Sequence, residues 1–278
     1  MRHAQLGSKN VPFPGIELSE LVDSSGAEAP VLRERFEEDG YLFLRGLLPQ
    51  DAVLEARQRV LSRFEAERSI PELRRWARHD PAVTAVIEHP SLFGLTTELL
   101  ESPAMTYSFK WMRVVGKAHG TGAHCDAVYM GRGSRHVRTV WIPFGDVPVE
   151  QGTLAVCEAS HRLEAFRRIH ETYGRLDVDR DRVADTGWLT DEPLELDGKW
   201  RTADFVAGDV IVFGLHTLHG STANLTDELR VSCDVRFQPA NEAADERWIG
   251  DEPVGHTAFG VGGSGSTTVL ELRRKWEL

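Results

Sequence analysis

From Leu229 to Gln238 the chain alternates strictly between two kinds of residue. Val231, Cys233, Val235 and Phe237 are apolar, and Arg230, Ser232, Asp234 and Arg236 between them are polar or charged. Successive side chains of a strand point to opposite faces, so the segment predicts one strand with an apolar face and a charged face. With helices over the apolar face and an interior cavity behind the charged one, such a strand is the wall of a barrel that holds a polar ligand. A charged face turned to water is the reading that the strand alone leaves open. Further short β-rich runs, Met105 to Val115, Arg138 to Ile142, Gly152 to Val156 and Asp209 to Leu215, are separated by Gly, Pro, Asn and Asp. That texture belongs to a β-sandwich or barrel.

Ahead of these runs the chain reads as helical. Val31 to Asp39 predicts a helix stopped by Gly40, followed by a short strand Tyr41-Leu42-Phe43-Leu44. Val53, Leu54, Ala56, Val60, Leu61 and Phe64 form one apolar face of a helix from Asp51 to Glu67, with Asp51 placed to cap it. Another helix is expected from Pro90 or Ser91 to Leu100. Between Glu164 and Arg201 the pattern fails in a charged, irregular stretch that contains Trp188 and Trp200. It is long for a plain connection, and a lid over a substrate and an inert surface insertion both remain open. The 278 residues are expected to form a single domain. Residues 1–104 would be helical support, 105–240 a barrel with 164–201 as insertion or lid, and 241–278 a C-terminal extension.

Composition narrows the partners. The net charge of -11, with no run of lysine or arginine beyond Arg273-Arg274-Lys275, argues against nucleic acid or an anionic membrane surface. No apolar run approaches the roughly 20 residues that span a bilayer, and Met1 to Ser8 lacks the apolar stretch of a secretory signal. Three widely spaced cysteines, Cys125, Cys157 and Cys233, suit a reducing cytoplasm. Asn224-Leu225-Thr226 then reads as turn chemistry. The partner to expect is a small-molecule substrate.

The residues that carry chemistry are His124-Cys125-Asp126, His219 and Arg230. In an extended strand His124 and Asp126 would project to one side, and a histidine from a neighbouring strand would complete a two-histidine, one-carboxylate set. That set suits non-haem Fe(II) and leaves three coordination positions open. An H-x-D triplet alone is a weak signal. The downstream segment strengthens it, because the buried run Asp209 to Leu215 delivers His219, a turn through Asn224 and Asp227 reverses the chain, and Arg230 follows on the return. A guanidinium fork there is suited to clamp a carboxylate.

The stretch from His124 to Phe237 resembles the phytanoyl-CoA dioxygenase family of Fe(II)/2-oxoglutarate oxygenases. The matching pieces are His124-x-Asp126, Val140-Trp141-Ile142-Pro143, Gln151-Gly152-Thr153-Leu154, Ser160-His161, Gly208-Asp209, His219-Gly220-Ser221 and Arg230. The resemblance implies a mainly β fold: a double-stranded β-helix (jelly-roll, cupin-like) barrel flanked by N-terminal helices. It further implies His124, Asp126 and His219 as iron ligands, Arg230 as the clamp for 2-oxoglutarate, Ser221 as a second donor to the same carboxylate, and Trp141 as a wall of that pocket. Fe(II), 2-oxoglutarate and O2 would be the cofactor set, with succinate and CO2 as coproducts. The histidine-to-arginine spacing selects His219 over His216. Cys125 stands where family members often carry glutamine, and its side chain is read as packing. His119, His136 and His161 are read as surface or supporting residues, His161 orienting a loop near the iron.

Because Asp126 occupies the position where related halogenases have a small residue, the expected outcome is hydroxylation, desaturation or oxidative cyclisation. The expected substrate is a small polar metabolite or natural-product intermediate. The loop Tyr129-Met130-Gly131-Arg132-Gly133-Ser134-Arg135-His136 offers donors to such a molecule, or is simply a solvated turn. The competing readings are an acyl-CoA hydroxylase, a metal-free jelly roll that only binds a ligand, and a jelly-roll metalloenzyme that works without 2-oxoglutarate.

Overall fold

In the computed structural model, which describes residues 2–278, the alternating strand lies inside the larger of two facing sheets. The chain opens with a hairpin, β1 (Arg2–Leu6) and β2 (Lys9–Phe13), and a short strand β3 (Leu18–Glu20). Helix α1 (Ala29–Asp39) leads into β4 (Tyr41–Leu44), and then come α2 (Gln50–Glu67), α3 (Ile70–Ala77), α4 (Pro81–Ile87) and α5 (Pro90–Leu100). The next elements are β5 (Ala104–Thr106), β6 (Trp111–Val115), β7 (Thr121–His124), the single turn α6 (Ala127–Met130), β8 (Arg138–Pro143) and β9 (Leu154–Cys157). After α7 (Arg167–Glu171) come β10 (Trp200–Thr202), β11 (Val210–Gly214), β12 (His219–Ser221), β13 (Arg230–Pro239) and α8 (Val269–Trp276).

The larger sheet runs β4-β11-β8-β13, and the free edge of β13 is shared by β6 along its first half and β5 at its end. The smaller sheet runs β3-β10-β9-β12-β7. This is a jelly-roll arrangement with flanking helices, but neither sheet closes on itself. The barrel expected from the sequence is therefore a pair of open sheets. Each sheet keeps two edges that do not pair with each other, β4 and β5 or β6 in the larger and β3 and β7 in the smaller.

Three apolar clusters hold the layers. The odd face of β13 joins Val53, Ala56 and Val60 of α2 and Leu92, Leu95 and Leu99 of α5 on the outside of the larger sheet. A second cluster fills part of the space between the sheets, with Trp141, Ile211 and Phe213 from one side and Leu154 and Val156 from the other. The third backs the smaller sheet with residues from the 164–201 segment, Phe166, Tyr173, Leu176, Val178, Val183 and Leu189. The even face of β13 is buried as well, with Arg230, Ser232, Asp234 and Arg236 at most 4% exposed. The water-facing reading of that strand is thereby excluded.

Several local expectations need correction. Gly40 does stop α1, in a left-handed conformation with its N–H on the Phe36 carbonyl. Asp51, however, does not cap α2: Pro49 is the cap residue, and the Asp51 carboxylate accepts only from its neighbour Ala52. Helices α3 and α4 lie in a stretch for which no element was expected, although Ser69 and Asp80 cap them and Pro follows each cap within two residues. The N-terminal part is not purely helical either, since β3 pairs with β10 and β4 with β11. The run from Met105 to Val115 is two strands, broken where Tyr107 turns inward to bond Gln238. No helix among the described residues is long and apolar enough to cross a membrane.

Candidate metal centre and cosubstrate pocket

His124 closes β7 and His219 opens β12, and the antiparallel pairing of these strands sets the two residues opposite each other. Their ring centroids are 4.2 Å apart. Asp126 reaches the same point by a different route from the one its spacing suggested. The strand ends at His124, and Asp126 has helical backbone angles at the start of α6, so a turn and not the strand pleat brings its carboxylate round. One donor atom from each of the three residues lies within 4.8 Å of the others, and all three residues are buried. His219 Nε2 is 3.8 Å from Asp126 Oδ1.

The surroundings leave the correct atoms free. Nδ1 of His124 is 2.9 Å from the Gly122 carbonyl, and Nδ1 of His219 is 2.9 Å from the Thr217 carbonyl. A carbonyl only accepts, so each Nδ1 carries the hydrogen and each Nε2 presents its lone pair. Burial lowers the pKa of both imidazoles, that of His124 to about 3, which keeps them unprotonated at neutral pH. Asp126 Oδ2 accepts from Thr139 Oγ1 at 2.6 Å and from Arg236 Nη2 at 3.0 Å, while Oδ1 faces His219. Burial opposes ionisation of Asp126, but Arg236, the two histidines and the Thr139 hydroxyl outweigh it and hold its pKa well below the usual carboxylate range. Arg236 also stacks on Trp111, with Cζ 4.1 Å from the ring centre, and lies 3.5 Å from Asp234, itself paired with Arg113 at 2.8 Å. Two neutral imidazoles and one fixed carboxylate oxygen are the donor set that non-haem Fe(II) takes, with positions left for other ligands.

Arg230 sits on the same face of β13 as Arg236 and is 3% exposed. Its Nη1 donates to the Gly152 carbonyl at 2.5 Å, and its Nε has no partner among the described residues. Gly152 turns that carbonyl inward from a φ of +90°, a conformation open to glycine and strained for other residues. No carboxylate among the described residues forms an ion pair with Arg230, because Asp234 on its own strand face is taken by Arg113 and Arg236. Burial pushes its pKa down to about 10. A buried cation with an idle donor and no acid beside it is a seat for an anion, and the distal carboxylate of 2-oxoglutarate fits it. Trp141, 1% exposed, places its ring 5.9 Å from the Arg230 guanidinium carbon. Ser221 is buried two residues beyond His219 on β12 and forms no hydrogen bond to Arg230. It borders a separate cavity of about 300 Å³ together with Thr121, Gly122 and Trp188.

The remaining sequence candidates are distributed around this centre. His216 is turned away from the triad and packs against His170, with ring centroids 5.5 Å apart. His119 and His136 bond the Lys117 carbonyl and Glu242 at the surface, and His161 Nε2 donates to the Glu37 carbonyl. Cys125 is fully buried in the apolar cluster behind β7, and burial pushes its thiol up to about 12, so the packing reading holds. The segment after the triplet begins as α6, which places the Tyr129 ring 5.7 Å from that of His124. Phe259 and His256 of the C-terminal extension pack on Tyr129 in turn. Asp179 of the 164–201 segment fixes this cover by accepting from His256 and from the backbone N–H groups of Thr257, Ala258 and Phe259. Sequence reasoning did not assign Arg236 or Thr139 to the metal centre. The signal for Arg236 was its place on the charged face of the alternating strand; nothing local distinguished Thr139.

The family model described as Phytanoyl-CoA dioxygenase (PhyH) matches residues 36–232. The chain is 26% identical over 273 residues to the 1-deoxypentalenic acid 11-beta-hydroxylase of Streptomyces exfoliatus, covering 81% of this chain and 87% of that protein. Among solved structures, the non-haem alpha ketoglutarate dependent epimerase SnoN from nogalamycin biosynthesis superposes with a TM-score of 0.60 at 22% identity, covering 85% of this chain and 96% of that one. The carbocyclase SnoK from the same biosynthesis gives 0.58 at 19% identity, over 84% and 93% of the two chains. At such identities the likeness to solved structures speaks for the fold alone.

Proposed function

The chain belongs to the phytanoyl-CoA dioxygenase family of Fe(II)/2-oxoglutarate oxygenases, and from that premise we propose that it oxidises a small natural-product intermediate, with hydroxylation as the principal outcome. His124, Asp126 and His219 hold the iron. Arg230 holds the distal carboxylate of 2-oxoglutarate, with Trp141 as a wall of its pocket and Ser221 as the further polar group on β12. When bound, iron, 2-oxoglutarate and O2 together supply the oxidising power, and succinate and CO2 leave as coproducts. The protein's own part is positional. The Gly122 and Thr217 carbonyls fix both imidazoles, Thr139 and Arg236 fix the carboxylate, and Tyr129 with its cover from the C-terminal extension keeps water from the metal side.

The observation that carries this reading is the pairing of two incomplete sites between the sheets. Three buried donors converge with their free atoms turned to one point, and Arg230 is a buried cation that lacks an acid. A jelly roll that only binds a ligand has no need of the three converged donors. The name of the Streptomyces exfoliatus relative, a hydroxylase of a small organic acid, supports a natural-product substrate over an acyl-CoA. All three cysteines are buried free thiols, which supports a reducing compartment, and the protein is read as cytoplasmic.

The test is to load the metal-free protein with Fe(II) under anaerobic conditions, add 2-oxoglutarate and follow the visible charge-transfer absorption. O2 is then admitted and succinate quantified across a panel of candidate substrates. Absorption and iron-dependent succinate in the wild type, both lost in His219→Ala, are expected. Failure to bind Fe(II), or absorption that survives that substitution, would overturn the reading.

A further inference from the structure

A cavity of about 840 Å³ lies outside the centre just described, and none of the three metal-binding residues lines it. It is bounded by Ala127 and Gly131 of the α6 turn, by Leu215 and His216 beyond β11, and by the first part of the 164–201 segment. Its volume is that of a site for a small organic molecule. Its charge runs against that of the whole chain. Six arginines and three carboxylates line it, in a protein of net charge -11. Arg132, Arg167 and Arg180 are paired with carboxylates of Asp177, Glu164 and Asp181. Arg135, Arg162 and Arg175 have no carboxylate partner among the described residues, and Arg162 donates only to the Glu38 carbonyl.

A second, independent feature sits in the same wall. Nδ1 of His170 and Nδ1 of His216 are both buried without a partner among the described residues. His170 Nε2 donates to the Ser160 carbonyl at 2.7 Å, so its Nδ1 is a bare lone pair. Burial lowers the pKa of both rings, that of His216 to about 4, so both are neutral near pH 7. The two nitrogens converge beside Gly174: a methyl group on that residue would stand 3.4 Å from one and 3.7 Å from the other. Gly174 has no left-handed backbone angle that would require glycine, so what it supplies is room between two unsatisfied nitrogens.

We propose that this cavity binds the carboxylate or phosphate of a hydroxyl-bearing small molecule, with Arg135, Arg162 and Arg175 on the anion and His170 and His216 on the hydroxyl. A hydroxyl can donate to His170 Nδ1 and accept from a hydrogen on His216 Nδ1, which satisfies both nitrogens at once. The site does not depend on the oxygenase reading. It is tested by calorimetry on the full-length, metal-free protein with four probes: inorganic phosphate, quinate, cyclohexanecarboxylate and adenosine 3′,5′-bisphosphate. Binding of at least one anion is expected, with quinate tighter than its hydroxyl-free counterpart. Arg135→Ala and Arg175→Ala, both at exposed positions, should each weaken it about tenfold or more. Gly174→Ala, whose methyl makes only ordinary contacts, should remove the preference for quinate and leave phosphate binding intact. Quinate as the tightest ligand assigns a carboxylate, and the bisphosphate as the tightest assigns a nucleotide phosphate. No binding of any probe, or unchanged binding in the arginine variants, overturns the proposal.

Discussion

Replacing Arg230 by methionine should weaken 2-oxoglutarate binding severely and leave the fold almost as stable as before. Methionine keeps the length of the aliphatic stem and removes the charge. Burial lowers the guanidinium pKa from 12.5 to about 10. At about 1.4 kcal/mol per pKa unit, the folded protein carries a penalty on the order of 3 kcal/mol for that charge. The sign is fixed because a cation with a depressed pKa is disfavoured in the folded state at every pH below the folded value, which includes neutral pH. Against this stands one hydrogen bond to the Gly152 carbonyl, whose loss costs roughly 1.5–3 kcal/mol when the donor is charged. The two terms nearly cancel. Breaking a buried ion pair would by contrast cost about 3–5 kcal/mol.

The cosubstrate has no such compensation. Two charge-assisted hydrogen bonds to its distal carboxylate, at roughly 1.5–3 kcal/mol each, make the loss in affinity on the order of a hundredfold to ten-thousandfold. The assay is anaerobic titration of 2-oxoglutarate into the Fe(II)-loaded protein, alongside thermal unfolding of the metal-free protein. Arg230→Lys, which retains the charge without the fork, should fall between wild type and Arg230→Met in affinity. A fall in Tm beyond about 10 °C, which for a chain of this size exceeds 2 kcal/mol, would show that Arg230 has a structural partner. Unchanged 2-oxoglutarate affinity would refute the clamp and move the role to another cation.

Other expectations follow from the same geometry. His219→Ala should abolish Fe(II) retention while His216→Ala leaves it intact, and equal metal loss in both would contradict the assignment of the third ligand. Arg236→Gln should weaken Fe(II) binding by about tenfold or more, since a charged hydrogen bond that holds Asp126 is lost, with Arg236→Lys recovering part of it; unaltered affinity would mean that Thr139 alone orients the carboxylate. Gly122→Ala should displace the segment around Trp188, because its methyl would meet the Thr190 carbonyl at 2.5 Å and the indole at 2.8 Å, and faster hydrogen exchange there would report it. The metal-free protein should lose stability as pH falls below about 6.5: His161, His170, His216 and His256 all have lowered pKa values when folded, so the unfolded chain binds more protons in that range. The depressed carboxylates, with ordinary values of 3.8 for aspartate and 4.5 for glutamate, lose their contribution mainly below about pH 5, so a Tm unchanged between pH 7 and pH 5 would count against these histidines being held neutral.

What could be read in the sequence depended on whether the physics was local. The period of two in β13 and the stop at Gly40 are properties of neighbouring residues, and both appear where expected. The path from β11 to Arg230 differs from the one expected, since β11 ends at Gly214 in the larger sheet, His219 opens β12 in the smaller one and Arg230 starts β13 back in the larger sheet. The turn between His219 and Arg230 crosses from sheet to sheet and is no hairpin, yet its geometry is fixed locally. Asn224 shows how closely: its side chain accepts from Thr226 and donates to the carbonyls of Val115 and Glu228, pinning the turn that carries the chain from His219 to Arg230. What stayed hidden was settled by contacts across the chain. Asp126 arrives through a helical turn that H-x-D spacing cannot distinguish from a strand. Arg236 lies 110 positions from the carboxylate it supports. The 164–201 segment read as irregular because its apolar residues follow no period. They pack one by one against the smaller sheet, and Trp200 enters that sheet as part of β10. Whether such a segment opens is therefore decided by those separate anchors, Thr190 on Ala123 and Val178 on Val128, and not by its lack of pattern.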